Sequence, residues 1–232
     1  NTAPNSPTCT TWTDCGTDRY QSVAPSEIND RSCANYVSCN DWHVRSPSSP
    51  NGTYVIDPDG AGAGGTISVQ CEMVIDGGGW TIIGFDDFTS GAPGWSNASR
   101  DTSSSCVGVY GVMLGGSSVF GAGASSQKSY DFLNITHTQV RVDLDYYVID
   151  SWDNERALVS VDSTTVYDQA FPYTAAGTNF CGVDNWTDYG RQDVVATPSH
   201  TANTMLLNVT STLNQAPNDE SFGVDNVRVW IR

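Results

Sequence analysis

Four carboxylates in the second half of the chain have the spacing of a cation site. Asp150 and Asp153 close a long alternating apolar run on either side of Trp152, and Glu220 and Asp225 bracket the start of the final apolar run. If the two loops meet at one end of a sandwich, four negative charges converge with the Asn154 or Asn226 amide. Calcium, which takes six to eight oxygen ligands, relieves such a cluster. The same residue types also cap turns through their own backbone, and Arg156 or Arg228 could neutralise the charge without a metal. A second acidic set, Asp57-Pro58-Asp59-Gly60 with Asp86-Asp87, is weaker, because its proline and glycine already account for a turn.

Aromatic residues offer a different chemistry. Trp95, Trp152, Trp186 and Tyr189 stand in loop-like contexts next to Asp and Asn, the composition of a platform on which sugar rings stack. Burial in a core is the commoner fate of tryptophan, and Trp186 lies inside a glycosylation sequon. For catalysis there is little. His43, His137 and His200 are the three histidines, and no G-x-S-x-G, H-E-x-x-H or nucleophilic-cysteine pattern surrounds them. With 26 acidic residues, a carboxylate pair is inevitable and decides nothing. No catalytic residue is expected.

The formal net charge of −16, with Lys128 the single lysine, excludes the cationic patches that nucleic acid requires. It also disfavours anionic membrane surfaces, and no 18-residue apolar run provides a membrane helix. Five sequons start at Asn51, Asn97, Asn134, Asn185 and Asn208. Together with seven cysteines, Cys9, Cys15, Cys33, Cys39, Cys71, Cys106 and Cys181, none in a C-x-x-C pair, they predict a secreted glycoprotein carrying N-linked glycans and disulfides. The odd count leaves one thiol free or paired between chains, and the connectivity stays open. The opening Asn1-Thr2-Ala3-Pro4 reads as a terminus left after leader cleavage.

These residues must be held by strands. Val140, Val142, Leu144, Tyr146 and Val148 alternate with Arg141, Asp143, Asp145 and Tyr147, which predicts a long strand with one wet face. Met205, Leu207 and Val209 alternate with Leu206, the sequon Asn208 and Thr210. Val227, Val229 and Ile231 make a last strand, with shorter strands near 158–161, 166–167 and 194–195. The fold class is all-β: a small N-terminal unit joined to an antiparallel β-sandwich or jelly roll. Its parts are an extended arm over 1–32, a small β unit over 33–85, a Gly/Ser-rich connection over 86–130 with one strand at Val107–Leu114, and the sandwich over 131–232.

The stretch Ser32-Cys33, Gly52-Thr53-Tyr54-Val55-Ile56-Asp57-Pro58, Val69-Gln70-Cys71-Glu72-Met73 and Asp76-Gly77-Gly78-Gly79-Trp80-Thr81 resembles the opening subdomain of fibrinogen-related domains. The resemblance implies a Cys33–Cys71 bridge. It ends near residue 83, before the family's calcium loop and ligand pocket, so no sugar-binding residue carries over. The second half, through Ile149-Asp150-Ser151-Trp152-Asp153-Asn154-Glu155 and Phe222-Gly223-Val224-Asp225-Asn226-Val227, is similar to a β-sandwich module of protist surface proteins. That implies an adhesive or structural role.

Two functions follow. One is a non-enzymatic extracellular glycoprotein, calcium-supported, that assembles with copies of itself through its N-terminal arm into a cell-surface coat or filament. The alternative is a calcium-dependent lectin or adhesin that binds glycans.

Overall fold

The computed structural model describes residues 13–26, 29–60, 62, 64–173, 177–183 and 186–232. The chain divides into two compact units, Asn1–Gly79 and Trp80–Arg232. Among the described residues the elements are strands apart from a short 3₁₀ turn and two helices of two turns or less.

In the first unit β1 (Arg19–Val23) pairs antiparallel with β2 (Ser32–Asn35). Helix α1 (Cys39–Arg45) is capped by Ser38, whose side chain accepts the Asp41 amide. β3 (Gly52–Ile56) and β4 (Ile67–Glu72) form a hairpin, separated by the Asp57–Gly60 turn in which the Gly60 N–H donates to Asp57 O at 2.9 Å. Along β4, Val69 and Cys71 face inward and their neighbours outward, as the alternation predicts. Tyr36, Trp42 and Tyr54 stack around the helix.

Two expectations change here. The bridges are Cys15–Cys33 and Cys39–Cys71, with Cα separations of 5.5 and 5.6 Å, not Cys33–Cys71. Cys71 is the bridge partner that the fibrinogen resemblance implies, but the other half is Cys39, at the start of the helix. Cys33 lies on β2 opposite Gln21, which brings it to Cys15 instead. Nor is the described part of the expected arm all extended and unpaired, since Arg19–Val23 pairs with Ser32–Asn35. Residues 1–12, with Cys9, lie outside the described residues, and so does the remainder of the arm-docking expectation.

The second unit is an antiparallel sandwich that begins at Trp80 rather than 131. Its elements are β5 (Trp80–Asp86), β6 (Arg100–Asp101), α2 (Ser105–Tyr110), β7 (Met113–Gly115), β8 (Ser125–Asp131), β9 (Val140–Asp150), β10 (Glu155–Val161), β11 (Thr164–Phe171), β12 (Gly190–Ala196), β13 (Thr204–Ser211) and β14 (Glu220–Ile231). One sheet runs β12-β9-β14-β5, with β7 beside the first half of β14. The other runs β11-β10-β13-β8. The region 86–130 is therefore part of the sandwich, not a connection. The Val107–Leu114 strand is a helix up to Tyr110, because Ser104 caps it and Cys106 is bridged to Cys181.

The core lies between the two sheets. Val140, Val142, Leu144, Tyr146 and Val148 of β9 meet Ala157, Val159 and Val161 of β10 and Met205, Leu207 and Val209 of β13, all buried. The outer face of β9 is drier than its sequence suggests. Tyr147 and Ile149 are buried with Cys106, Met113 and Cys181, and Tyr110 packs against them, so α2 and its disulfide cover half of that face. In β14 a bulge at Asn226 (φ 52°) lets Asp225 pair with Asp145 and Arg228 with Asp143. The extra residue resets the phase, so Val224 and Val227 both point inward.

Candidate functional site

The corner between β9 and β10 carries the chain from one sheet to the other over 151–154. Trp152 plugs this end of the sandwich. It is buried, its Nε1 donates to Ser221 O at 3.0 Å, and its ring meets Tyr146 and Phe171 edge-on. Because Trp152 fixes the corner, Glu155 at the start of β10 comes beside Glu220 at the start of β14. Ligand-type oxygens of Asp153, Glu155 and Glu220 lie within 4.8 Å of one another. Asp153 is exposed, while Glu155 and Glu220 are buried.

The electrostatics of this trio are uneven. Glu155 accepts hydrogen bonds from the Asp153 N–H and, at 3.1 Å, from Asn214 Nδ2. Glu220 has 0% exposure, and neither of its oxygens has a hydrogen-bond partner. Burial pushes its carboxyl up to about 7, helped by the charges of Glu155, Asp153 and Asp219. The Asn214 backbone N–H is near enough only to temper the rise. The arginines that could have neutralised it are elsewhere: Arg156 pairs with Asp168, and Arg228 lies over the Phe85 ring.

The four predicted ligands therefore separate. Asp153 and Glu220 come together with Glu155, which the sequence reading missed. Asp150 does not join them. Its Oδ1 accepts the Val183 N–H at 2.8 Å, and its own N–H donates to Asp188 at 2.6 Å. Burial pushes Asp150 up to about 7, against the Val183 N–H and with the help of Asp188 and Asp219. Asp225 sits at the bulge, where Asn226 Nδ2 bridges to Asp145 at 2.9 Å and to Asp225 at 3.3 Å. The weaker acidic sets are compensated. Asp57 accepts Asn35 Nδ2 at 2.7 Å. Asp59 accepts the Gly64 N–H and Asp87 the Thr89 N–H, as turn residues do. Asp86 is held by Lys128 and Tyr130.

Directly beside the carboxylate trio is a cleft of about 330 Å³, lined by Ser151, Asp153, Tyr173, Trp186, Gln215 and Asp219. Two aromatic rings flank it, Tyr173 at 54% exposure and Trp186 at 37%. Ser151 Oγ donates to Asp219 O at 3.2 Å, which ties together two of the lining residues. Of the aromatic residues expected to stack sugars, Trp186 is on this cleft. Trp95 and Trp152 are core residues, the first packed edge-on against Phe88. Tyr189 supports the wall from behind. Its hydroxyl donates to Pro172 O, next to Tyr173, and its ring meets Phe171. Tyr173 follows Pro172 after the last strand residue and carried no periodic signal. The sequon residue Asn185 lies outside the described residues. Asn134 and Asn51 are exposed, and Asn97 and Asn208 are half-buried.

His137 and His200 pair with each other and with an acid and a backbone carbonyl. His137 donates from Nδ1 to Ile135 O, its Nε2 meets His200 Nδ1 at 2.9 Å, and His200 Nε2 meets Asp162 at 2.9 Å. Both rings are buried against Phe132.

No family model matches the chain, and no curated protein matches it. Among solved structures, it is similar to the CBM22-1–GH10 modules of a Clostridium thermocellum xylanase, Xyn10B. The identity is 12% over 65% of this chain and 28% of that one, with a TM-score of 0.39. A family 35 carbohydrate-binding module from the same organism matches at 13% identity over 63% of this chain and 95% of that one, TM-score 0.34. The K3 adhesin domain of the Porphyromonas gingivalis Lys-gingipain matches at 10% identity over 64% and 98%, TM-score 0.37. At these scores no ligand, substrate or activity transfers.

Proposed function

We propose that the protein is an extracellular, non-enzymatic β-sandwich module that binds carbohydrate in the cleft between Tyr173 and Trp186. The observation that carries this reading is that two exposed aromatic residues, Tyr173 and Trp186, line a cleft whose other lining residues are polar. A sugar has apolar C–H faces and a rim of hydroxyls. Exposed rings suit the faces, and Ser151, Asp153, Gln215 and Asp219 supply acceptors and donors for the rim. Ligand sites are commonly concave, with a few convergent polar groups on an otherwise apolar lining.

The non-enzymatic reading rests on the sequence, in which no nucleophile or metalloprotease motif surrounds the histidines. Glu155 and Glu220 are covered, while Asp153 and Asp219 line the cleft as hydrogen-bonding groups. Three disulfides support an oxidising, extracellular setting.

A glycan array on the whole chain tests the reading. Wild type is expected to retain a restricted set of glycans, and Trp186→Ala to lose them by about tenfold or more in affinity while melting at the wild-type temperature. Equal retention by Trp186→Ala and Tyr173→Ala would contradict it.

A further inference from the structure

We propose that Asp153, Glu155 and Glu220 are the protein ligands of one calcium ion at the end of the sandwich, a site that stands whether or not sugar fills the adjoining cleft. The first reason is the state of Glu220. A carboxylate without exposure and without a hydrogen bond is costly to bury, and folded proteins pair or ligate such groups. The second is aim: its oxygens point at those of two further carboxylates within 4.8 Å, so nearby protein charge raises the cost instead of relieving it.

The third reason is position. Glu155 is in phase with the inward residues Ala157, Val159 and Val161 of β10, and Glu220 with the inward Phe222 and Val224 of β14. Each therefore occupies a core-facing position at the first residue of its strand, where an apolar side chain would fill the sandwich at no electrostatic cost. The fourth is access. Asp153 is exposed, which leaves a route for an ion that keeps water on its open side.

The donor set selects the metal. Three carboxylates without histidine or cysteine form a hard oxygen site, which disfavours zinc and copper. Calcium tolerates an irregular shell of carboxylates and water, whereas magnesium demands near-octahedral geometry and is seldom held by an all-protein cage. Asp153 also lines the cleft, so the ion would fix one wall of the sugar site.

The competing way to relieve the same repulsion is a proton held among the three groups, and the test separates the two. Calcium is titrated calorimetrically into the whole chain after EDTA treatment and dialysis, near neutral pH, with thermal melts alongside and no glycan present. One calcium per chain is expected, with a rise in melting temperature that EDTA reverses and magnesium at equal concentration does not reproduce. Glu220→Gln is expected to weaken binding by about tenfold or more and to melt at a calcium-independent temperature. If that variant does not fold, the exposed Asp153→Asn serves in its place, with the same expected loss. Heat-silent titration of wild type with an EDTA-insensitive melt would overturn the site. So would wild-type calcium affinity in both variants, or equal binding of magnesium.

Discussion

Two acidic side chains in the same sandwich are treated in opposite ways. Asp86, at the end of β5, receives both contacts of the single lysine: Lys128 Nζ lies 2.8 and 2.9 Å from its two oxygens, and the Tyr130 hydroxyl donates to it at 2.9 Å. Gly84 makes room for this arrangement, since a Cβ there would come within 2.7 Å of the Tyr130 ring. Among the described residues Glu220 has no cation, neither of its oxygens has a hydrogen-bond partner, and two more carboxylates lie beside it. A chain with 10 basic and 26 acidic residues has few cations to spend. One of them is fixed on Asp86, while among the described residues the Asp153–Glu155–Glu220 trio is given none.

The comparison breaks most readily at Lys128. Lys128→Met leaves the nearly buried Asp86 with only the Tyr130 hydroxyl and is expected to destabilise the protein by about 3 kcal/mol, read from urea denaturation. Glu220→Gln, measured in EDTA, is expected to shift stability in the other direction or not at all, by about 1 kcal/mol, since it removes a charge that no protein group compensates. Equal destabilisation by both substitutions would mean that Glu220 is compensated after all.

Asp225 sharpens the comparison through pH. Its carboxyl is pushed from 3.8 up to about 6, first by burial, then by Asp145 and Asp87, with the Asn226 backbone N–H and Arg228 opposing. A folded value above the unfolded one means that the native state binds the extra proton. The penalty is absent below the unfolded value, grows as the pH rises to about 6, and is complete above it. Wild type is therefore expected to lose on the order of 2 kcal/mol relative to Asp225→Asn across that window, in denaturation series at matched ionic strength. A constant difference across the window would contradict the assigned cause. The smallest effect is expected at Arg156, whose pair with Asp168 leaves both side chains nearly half exposed. Arg156→Ala should cost less than about 1 kcal/mol.

Much of the sandwich was legible. The alternation in β9 and β13, and the inward Val227, Val229 and Ile231 of β14, gave strands with the correct buried faces, because a half-buried strand writes its period into the chain. The bulge at Asn226 was not read, although three-residue spacing between the inward Val224 and Val227 carries it. Helix α2 lies where a strand over Val107–Leu114 is expected. Its Ser104 cap and the Cys106–Cys181 bridge decide otherwise.

The candidate site was legible in part. Asp153 and Glu220 follow from their places at the ends of long strands, and Glu155, in step with Ala157, Val159 and Val161, joins them in the structure. Asp150 was included because it is near in sequence. Asp150 pairs with Glu220 across the strands, but its backbone is left-handed (φ 68°) and its carboxylate accepts the Val183 N–H instead. The aromatic residue that completes the cleft, Tyr173, lies in an irregular segment after Pro172. Its place is set by the β11 end and by Tyr189 behind it, both of them tertiary facts.

The most direct test of the sugar-binding cleft is a crystal structure of the protein soaked with the tightest oligosaccharide from the array. The expected density is a sugar ring stacked on Trp186 with its hydroxyls toward Asp153, Gln215 or Asp219. A ligand seated instead on the outer sheet face, over Arg191 and Asn226, with the Trp186 cleft filled by water, would contradict it.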